Sequence, residues 1–276
     1  MRISVGEAAH EEEQMALTEA EDVQRLAEPM QFEAGDALPD EYMKLLTTLF
    51  YHHAEVVTPS MFYEHFIRQL VDMGMDMAPD ADAKLRLANF YAEEIRHGYL
   101  FAKLYAELDP SLPDKILEAS GLKRAGEDAS GVSPFMQAIE DWVDLALFNF
   151  LIDGEGCWQI SEWETSSYAP LARIAGQVSR DERGHSNMGY LHLKRAVKDN
   201  PPLHKSAQER LYDKWYPIAL DTFGRAESKR NAQYRAWSLK RRTNEELRQD
   251  FMSYVNPMLE RLGFEVPPPS HNRQFI

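Results

Sequence analysis

The feature that most limits how this chain can fold is a pattern of carboxylates and histidines repeated at fixed distances. Glu64 precedes Glu94 by 30 residues and Asp153 precedes Glu182 by 29. Each later glutamate is followed three positions on by a histidine, His97 and His185. Residues three apart on a helix share a face, so each Glu-x-x-His can bind one ion with both side chains. Thirty residues make two helical segments and a turn. A carboxylate midway along one helix therefore comes level with the glutamate of its antiparallel neighbour. Two such hairpins packed face to face collect four carboxylates and two histidines, the donor set of a di-iron carboxylate bundle. An oxygen-rich set without thiolates suits iron, with manganese second, better than structural zinc or copper(I).

The pattern has rivals within the chain. Glu7 and His10 repeat the spacing but lie in an acidic N-terminal segment, where coincidence is the simpler reading. Glu155 competes with Asp153 from about 160° or more around the same helix. The 29-residue match and the apolar stretch before it favour Asp153. Glu55 competes with Glu64 at the poorer spacing of 39. Around the ligands, Glu93 and Asp181 each precede a ligand glutamate. Two readings stand for them: surface carboxylates, or acceptors for the second ring N–H of a histidine on the neighbouring helix. Gly98 and Gly156 are helix-interior glycines one turn from ligands. They either keep space for oxygen and substrate or let helices pack closely. Phe90, Phe101, Phe150 and Cys157 fall on the ligand faces, as plain core or as the lining of an apolar pocket.

The rest of the chain reads as helix. Leu, Ala, Glu, Arg, Lys and Met dominate, and no strand-length alternation of β-branched residues occurs. Helices are expected from Pro39-Asp40 to before Pro59, from Ser60 to about Met73, and from Asp80 to about Leu108. A connection over 109–133 holds one short helix over 115–119. Further helices are expected from Ser133 to about Glu164 and from Tyr168 to about Lys198, the latter closed by Pro201-Pro202. Three more follow near 204–222, 226–240 and 244–262. This predicts an all-α fold: a four-helix bundle over 39–264 with additional C-terminal helices, an acidic tail over 1–38 and an extended Pro-rich tail over 265–276.

Charge and composition exclude several classes. Of the net charge of −15, residues 1–36 carry −8, with ten acids against Arg2 and Arg25. The remainder is ordinary for a soluble protein and has no basic stripe broad enough for nucleic acid. No apolar run reaches the roughly 18 residues of a membrane span, and the N-terminus has no apolar signal core, so a cytoplasmic protein is expected. The single cysteine, Cys157, excludes an internal disulfide and any rubredoxin or iron–sulfur centre.

Several stretches carry a resemblance over about residues 40–270: Glu94-Ile-Arg-His97-Gly98, Leu151-Ile-Asp153-Gly154 with Ser167-Tyr168-Ala169-Pro170, Glu182-Arg-Gly-His185, and the run Leu239 to Gln249. The chain resembles the ring-oxidising di-iron monooxygenases of phenylacetate catabolism, the phenylacetyl-CoA epoxidase family, and so implies a ferritin-like bundle. The matching iron ligands are Glu64, Glu94, His97, Asp153, Glu182 and His185. The resemblance implies O2 as co-substrate, one oxygen atom inserted into an aromatic double bond to give an epoxide, and electrons from NAD(P)H through a separate reductase. It also implies a hetero-oligomer with small accessory subunits and a related non-catalytic bundle subunit. The chain departs from the family near the CoA portion, where it has Glu55, Pro59 and Phe90. Lys240, Arg241 and Arg242 remain as phosphate partners or as an ordinary solvated helix end. Four alternatives are iron storage or peroxide handling by a ferritin-like or rubrerythrin-like protein, a structural subunit of an oxygenase complex (which would lose ligands, whereas all six are present), an oxygenase acting on a substrate without CoA, and a tyrosyl-radical protein using Tyr91, Tyr105 or Tyr190.

Overall fold

The computed structural model describes residues 31–57, 68–113, 115 and 139–275, with backbone alone at 51–57 and 68–71. Among them there is no strand, and the one isolated bridge pairs Phe32 with Tyr168. Helix α1 spans Asp40–Val57, α2 Arg68–Met77 and α3 Ala81–Leu108. A composite helix follows: α4 over Trp142–Phe148, a π turn over Asn149–Asp153, then α5 over Gly154–Ser161. Helix α6 spans Ala169–Val197. Beyond it come α7 (Pro201–Arg210), a second π turn (Leu211–Trp215), α8 (Tyr216–Thr222), α9 (Lys229–Ala236) and α10 (Asn244–Arg261). The fold is an all-α, ferritin-like bundle with extra C-terminal helices. No described helix is long and apolar enough to cross a membrane.

Local chemistry sets most boundaries. Asp80 caps α3 by accepting from the Ala83 amide at 2.8 Å. Thr243 and Glu246 form a reciprocal capping box on α10, and Gly263, at φ +81°, ends that helix in the left-handed region. Two expectations are corrected. The long helix expected from Ser133 to about Glu164 is not continuous: 139–141 are non-helical and α4 begins at Trp142, because Asp141 accepts from the amides of Val143 and Asp144 and fixes the first turn there. Pro201 and Pro202 open α7 rather than merely closing α6, since a proline in the first turn gives up no helical hydrogen bond. Contacts with the bundle also begin before Pro39. Phe32 exchanges backbone hydrogen bonds with Ser167 and Ala169, and its ring lies 4.5 Å from that of Tyr42.

Helices α3 and α6 run antiparallel, tied near one end by Asp82–Arg195 at 3.2 Å and further along by Arg96–Asp181 at 2.8 Å. Two apolar clusters fill the interior. One gathers Phe90, Phe150, Trp215 and Phe251; the other gathers Tyr42, Phe50, Phe101, Tyr105 and Trp163. Phe90 and Phe101 sit on α3 on either side of Glu94 and His97, so those two residues lie where the clusters meet. After α10 the chain has no regular structure and turns over 269–272 back toward the bundle. Buried Asp221 accepts from the Arg273 guanidinium and from the amides of Gln274 and Phe275 at 2.8 and 3.1 Å.

Candidate metal centre

Helices α3 and α6 bring Glu94, Glu182 and His185 together, each buried, with one donor atom apiece lying within 4.8 Å of the others. His185 Nδ1 is 3.2 Å from Glu94 Oε1 and 3.3 Å from Glu182 Oε2. His97 Nδ1 is 3.2 Å from Glu182 Oε1 and 3.7 Å from Glu94 Oε1. Each histidine thus faces the glutamates of both helices. The outer nitrogens are held crosswise: His97 Nε2 meets Asp181 at 3.1 Å and His185 Nε2 meets Glu93 at 3.0 Å. Glu93 and Asp181 therefore occupy the positions from which a carboxylate fixes an imidazole's tautomer and turns its other nitrogen inward. Arg96 holds Asp181 in turn.

The donor set fits a metal ion. His97 Nδ1 is fully buried and lies off the line of a hydrogen bond to either glutamate, so it has no partner of its own. A cation between these groups would take that lone pair and relieve the crowding of carboxylates. The electrostatics agree. Burial alone would lower His97 and His185, but the carboxylates around their rings raise both, His185 strongly. Burial would raise Glu182, yet its hydrogen bond with His185 and the His97 ring close beside it bring it down to about 2. Asp153 goes the other way. Burial first, then the charges of Glu182 and Glu94, push it well above the usual carboxylate range.

Asp153 closes the π turn and accepts from Asn149 Nδ2 at 2.7 Å. Its rival Glu155 is also buried, and burial raises it to about 7. The π turn sits against α6 at two small residues. The Ser186 hydroxyl donates to the Phe150 carbonyl at 2.9 Å. Gly189 lets the two backbones touch: a Cβ there would meet Phe150 N at 2.3 Å. Ser186 and Gly189 share the face of α6 that carries Glu182 and His185. Sequence reasoning singled out Gly98 and Gly156 and missed Asn149, Ser186 and Gly189. An amide in an apolar run four residues before Asp153 was the available signal for Asn149. Gly156 is half-buried with open space where a Cβ would go, and Gly98 is buried on α3.

The remaining expected residues divide. Phe90 meets the His185 ring edge-on at 4.6 Å, Phe101 packs on Trp163, and Phe150 packs on Tyr190. Tyr105 is buried among Phe50 and Phe101, and Tyr91 is half-buried. Cys157 hydrogen-bonds the Ser179 carbonyl and lines a cleft of about 270 Å³ with Gly154, Trp158, Arg183, Ser186 and Tyr254. The basic trio is not a free phosphate patch. Lys240 is buried and bonded to Gln159 Oε1 at 3.0 Å; Arg242 is committed to Glu162 and Asp250; only the Arg241 side chain is exposed. The reason is that these residues form the buried approach to α10, which begins at Asn244. Glu64 and the side chain of Glu55 lie outside the described residues, as do the 1–30 segment with Glu7 and His10, Pro59, Ser60, Ser133 and all but the first residue of the short helix expected over 115–119.

An all-α, ferritin-like bundle with a buried glutamate–histidine cluster suited to a metal defines the class. Within it, the chain belongs to the phenylacetic acid catabolic protein family, whose sequence profile matches residues 15–274. It is similar to one of the subunits of the 1,2-phenylacetyl-CoA epoxidase of Escherichia coli (strain K12), with 27% identity over 251 residues, covering 89% of this chain and 76% of the relative.

Proposed function

We propose that this chain is the catalytic subunit of a multicomponent di-iron monooxygenase. Its reaction consumes O2 and places one oxygen atom on an aromatic ring as an epoxide, the substrate being an acyl-CoA thioester of the phenylacetyl-CoA kind. The observation that carries this is the crossed arrangement of His97 and His185, each facing both Glu94 and Glu182 and each held from behind by a carboxylate of the other helix. The relative's name supports the substrate class and the multisubunit setting.

In this reading Glu64, Glu94, His97, Asp153, Glu182 and His185 hold two iron ions, which supply the chemistry of O2 activation when bound. Asp181 and Glu93 keep the histidine tautomers that point Nδ1 inward. Phe90 and Phe101, one from each apolar cluster, border the ligands on α3 and keep water away from reactive oxygen species. With one cysteine and no dinucleotide-binding glycine motif, the chain takes electrons from NAD(P)H through a separate reductase. Small accessory subunits and a related non-catalytic bundle subunit complete a cytoplasmic assembly.

The test is turnover of phenylacetyl-CoA under 18O2 by the iron-loaded chain with a reductase and a bundle-like partner. One 18O atom in a ring-oxidised thioester supports the proposal. Iron oxidation and mineralisation without any oxygenated product would replace it with the storage reading.

A further inference from the structure

The π turn carries a buried amide that is not itself among the six expected ligands. Asn149 is 1% exposed and Asp153 8% exposed, and the Asn149 Nδ2 donates to Asp153 Oδ2 at 2.7 Å. An asparagine inside a helix is a poor helix former and costs desolvation when buried, so its place here needs a partner that repays both. Asp153 is that partner.

The surrounding backbone makes the contact rigid. Ser186 donates to the carbonyl of Phe150, the residue after Asn149. At Gly189 the chain of α6 approaches so closely that a Cβ would lie 2.8 Å from the Asn149 carbonyl carbon. Both contacts come from the helix that bears Glu182 and His185. The amide donor is therefore fixed in the same frame as those ligands, and the carboxylate it grips cannot swing freely between them.

Resting on the di-metal reading above, we infer that Asn149 is a positioning residue: it occupies Oδ2 of Asp153, so that Asp153 presents Oδ1 alone to the metal. Outer partners of this kind alter metal affinity by roughly 10- to 100-fold when removed. The carboxylate without its amide is free to rotate and to chelate through both oxygens, which changes the coordination number at that ion.

The experiment is a Co(II) titration of the metal-free protein, followed by visible absorption, on wild type, Asn149→Leu and Asn149→Gln. Leucine matches asparagine in size without donating; glutamine keeps an amide. The expected result is two Co(II) ions per wild-type chain, with the weaker site loosened roughly 10- to 100-fold in Asn149→Leu. Its d–d bands should change shape, and Asn149→Gln should restore part of both. Far-UV circular dichroism and the melting temperature of the metal-free Asn149→Leu protein report whether the fold survives. If Asn149→Leu is too unstable to titrate, Asn149→Asp decides: it keeps the size of the side chain and removes the N–H donor, so a loosened second site with altered bands supports the inference, and wild-type affinity and bands overturn it. Two Co(II) ions with wild-type affinity and spectrum in a folded Asn149→Leu overturn the role of Asn149 and leave the di-metal reading standing. A wild-type chain that binds no Co(II) overturns both.

Discussion

Gly189→Ala tests whether the touch between α6 and the π turn holds the centre together. The added methyl carbon would lie 2.3 Å from Phe150 N, 2.8 Å from the Ala146 carbonyl oxygen and 2.8 Å from the Asn149 carbonyl carbon. All three are backbone atoms, so no side chain can turn aside. Ordinary contact begins near 3.4 Å, so the two helices must part by about 1 Å. Overpacking of this kind costs about 1–3 kcal/mol, and a backbone clash belongs at the upper end. Alanine recovers about 1 kcal/mol over glycine in helix propensity. The net loss is about 2 kcal/mol, a fall of roughly 4–8 °C in Tm for a chain of this size. Gly184→Ala is the control, because nothing lies within 4 Å of its Cβ. It should gain up to about 1 kcal/mol from propensity alone. Thermal melts of the two metal-free variants, with iron content after reconstitution, make the comparison. Gly189→Ala should also bind less metal, because parting the helices draws Asp153 away from Glu182. A Gly189→Ala protein that melts at or above Gly184→Ala would refute the reasoning.

Three further outcomes are expected. His97→Ala and His185→Ala should each lose iron and oxygenation while keeping the helical circular dichroism signal, because each removes an inward-facing donor and leaves the apolar clusters intact; full iron occupancy in either would contradict the centre. Metal binding should release protons, measured by calorimetry in buffers of different ionisation enthalpy. The sign follows from the shifts: His97, His185 and Asp153 are raised, so they hold protons in the metal-free fold, and the stability they lend as protonated groups is lost as pH rises through their raised values. Glu182 is depressed, so its contribution is present above the ordinary carboxylate range and disappears as pH falls toward about 2. Finally, Lys240→Met should unfold more readily than wild type by about 1–3 kcal/mol, since it strips Gln159 Oε1 of a buried donor, whereas the exposed Arg241→Ala should stay within about 0.5 kcal/mol in urea titration.

The helical nature of the chain and the pairing of two Glu-x-x-His helices were legible because both rest on local periodicity and fixed spacing. So was the start of α3 at Asp80, whose side chain acts within three residues. The π turn was not. The run from Val143 to Asp153 keeps helical periodicity whether or not one turn is widened, and what widens it sits on α6, at Ser186 and Gly189, about 36 residues further along the chain. The trio Lys240, Arg241 and Arg242 misled for the converse reason. Three adjacent cations read as a solvated patch until the fold brings buried Glu162 against two of their amides and one guanidinium.

The crossed pairs His97–Asp181 and His185–Glu93 also act as a vernier between two helices. In both, the residue numbers add to the same total, as they must when two antiparallel rods are read at one setting. Sliding α3 by a single residue, a rise of about 1.5 Å, would break both pairs together, and no compensating slip of one alone exists. Insertions or deletions within either helix between its Glu-x-x-His and the points where it is anchored would be expressed at the metal centre first. The two cassettes are therefore one heritable unit: each sets the alignment of the other, and neither can drift while its counterpart stays.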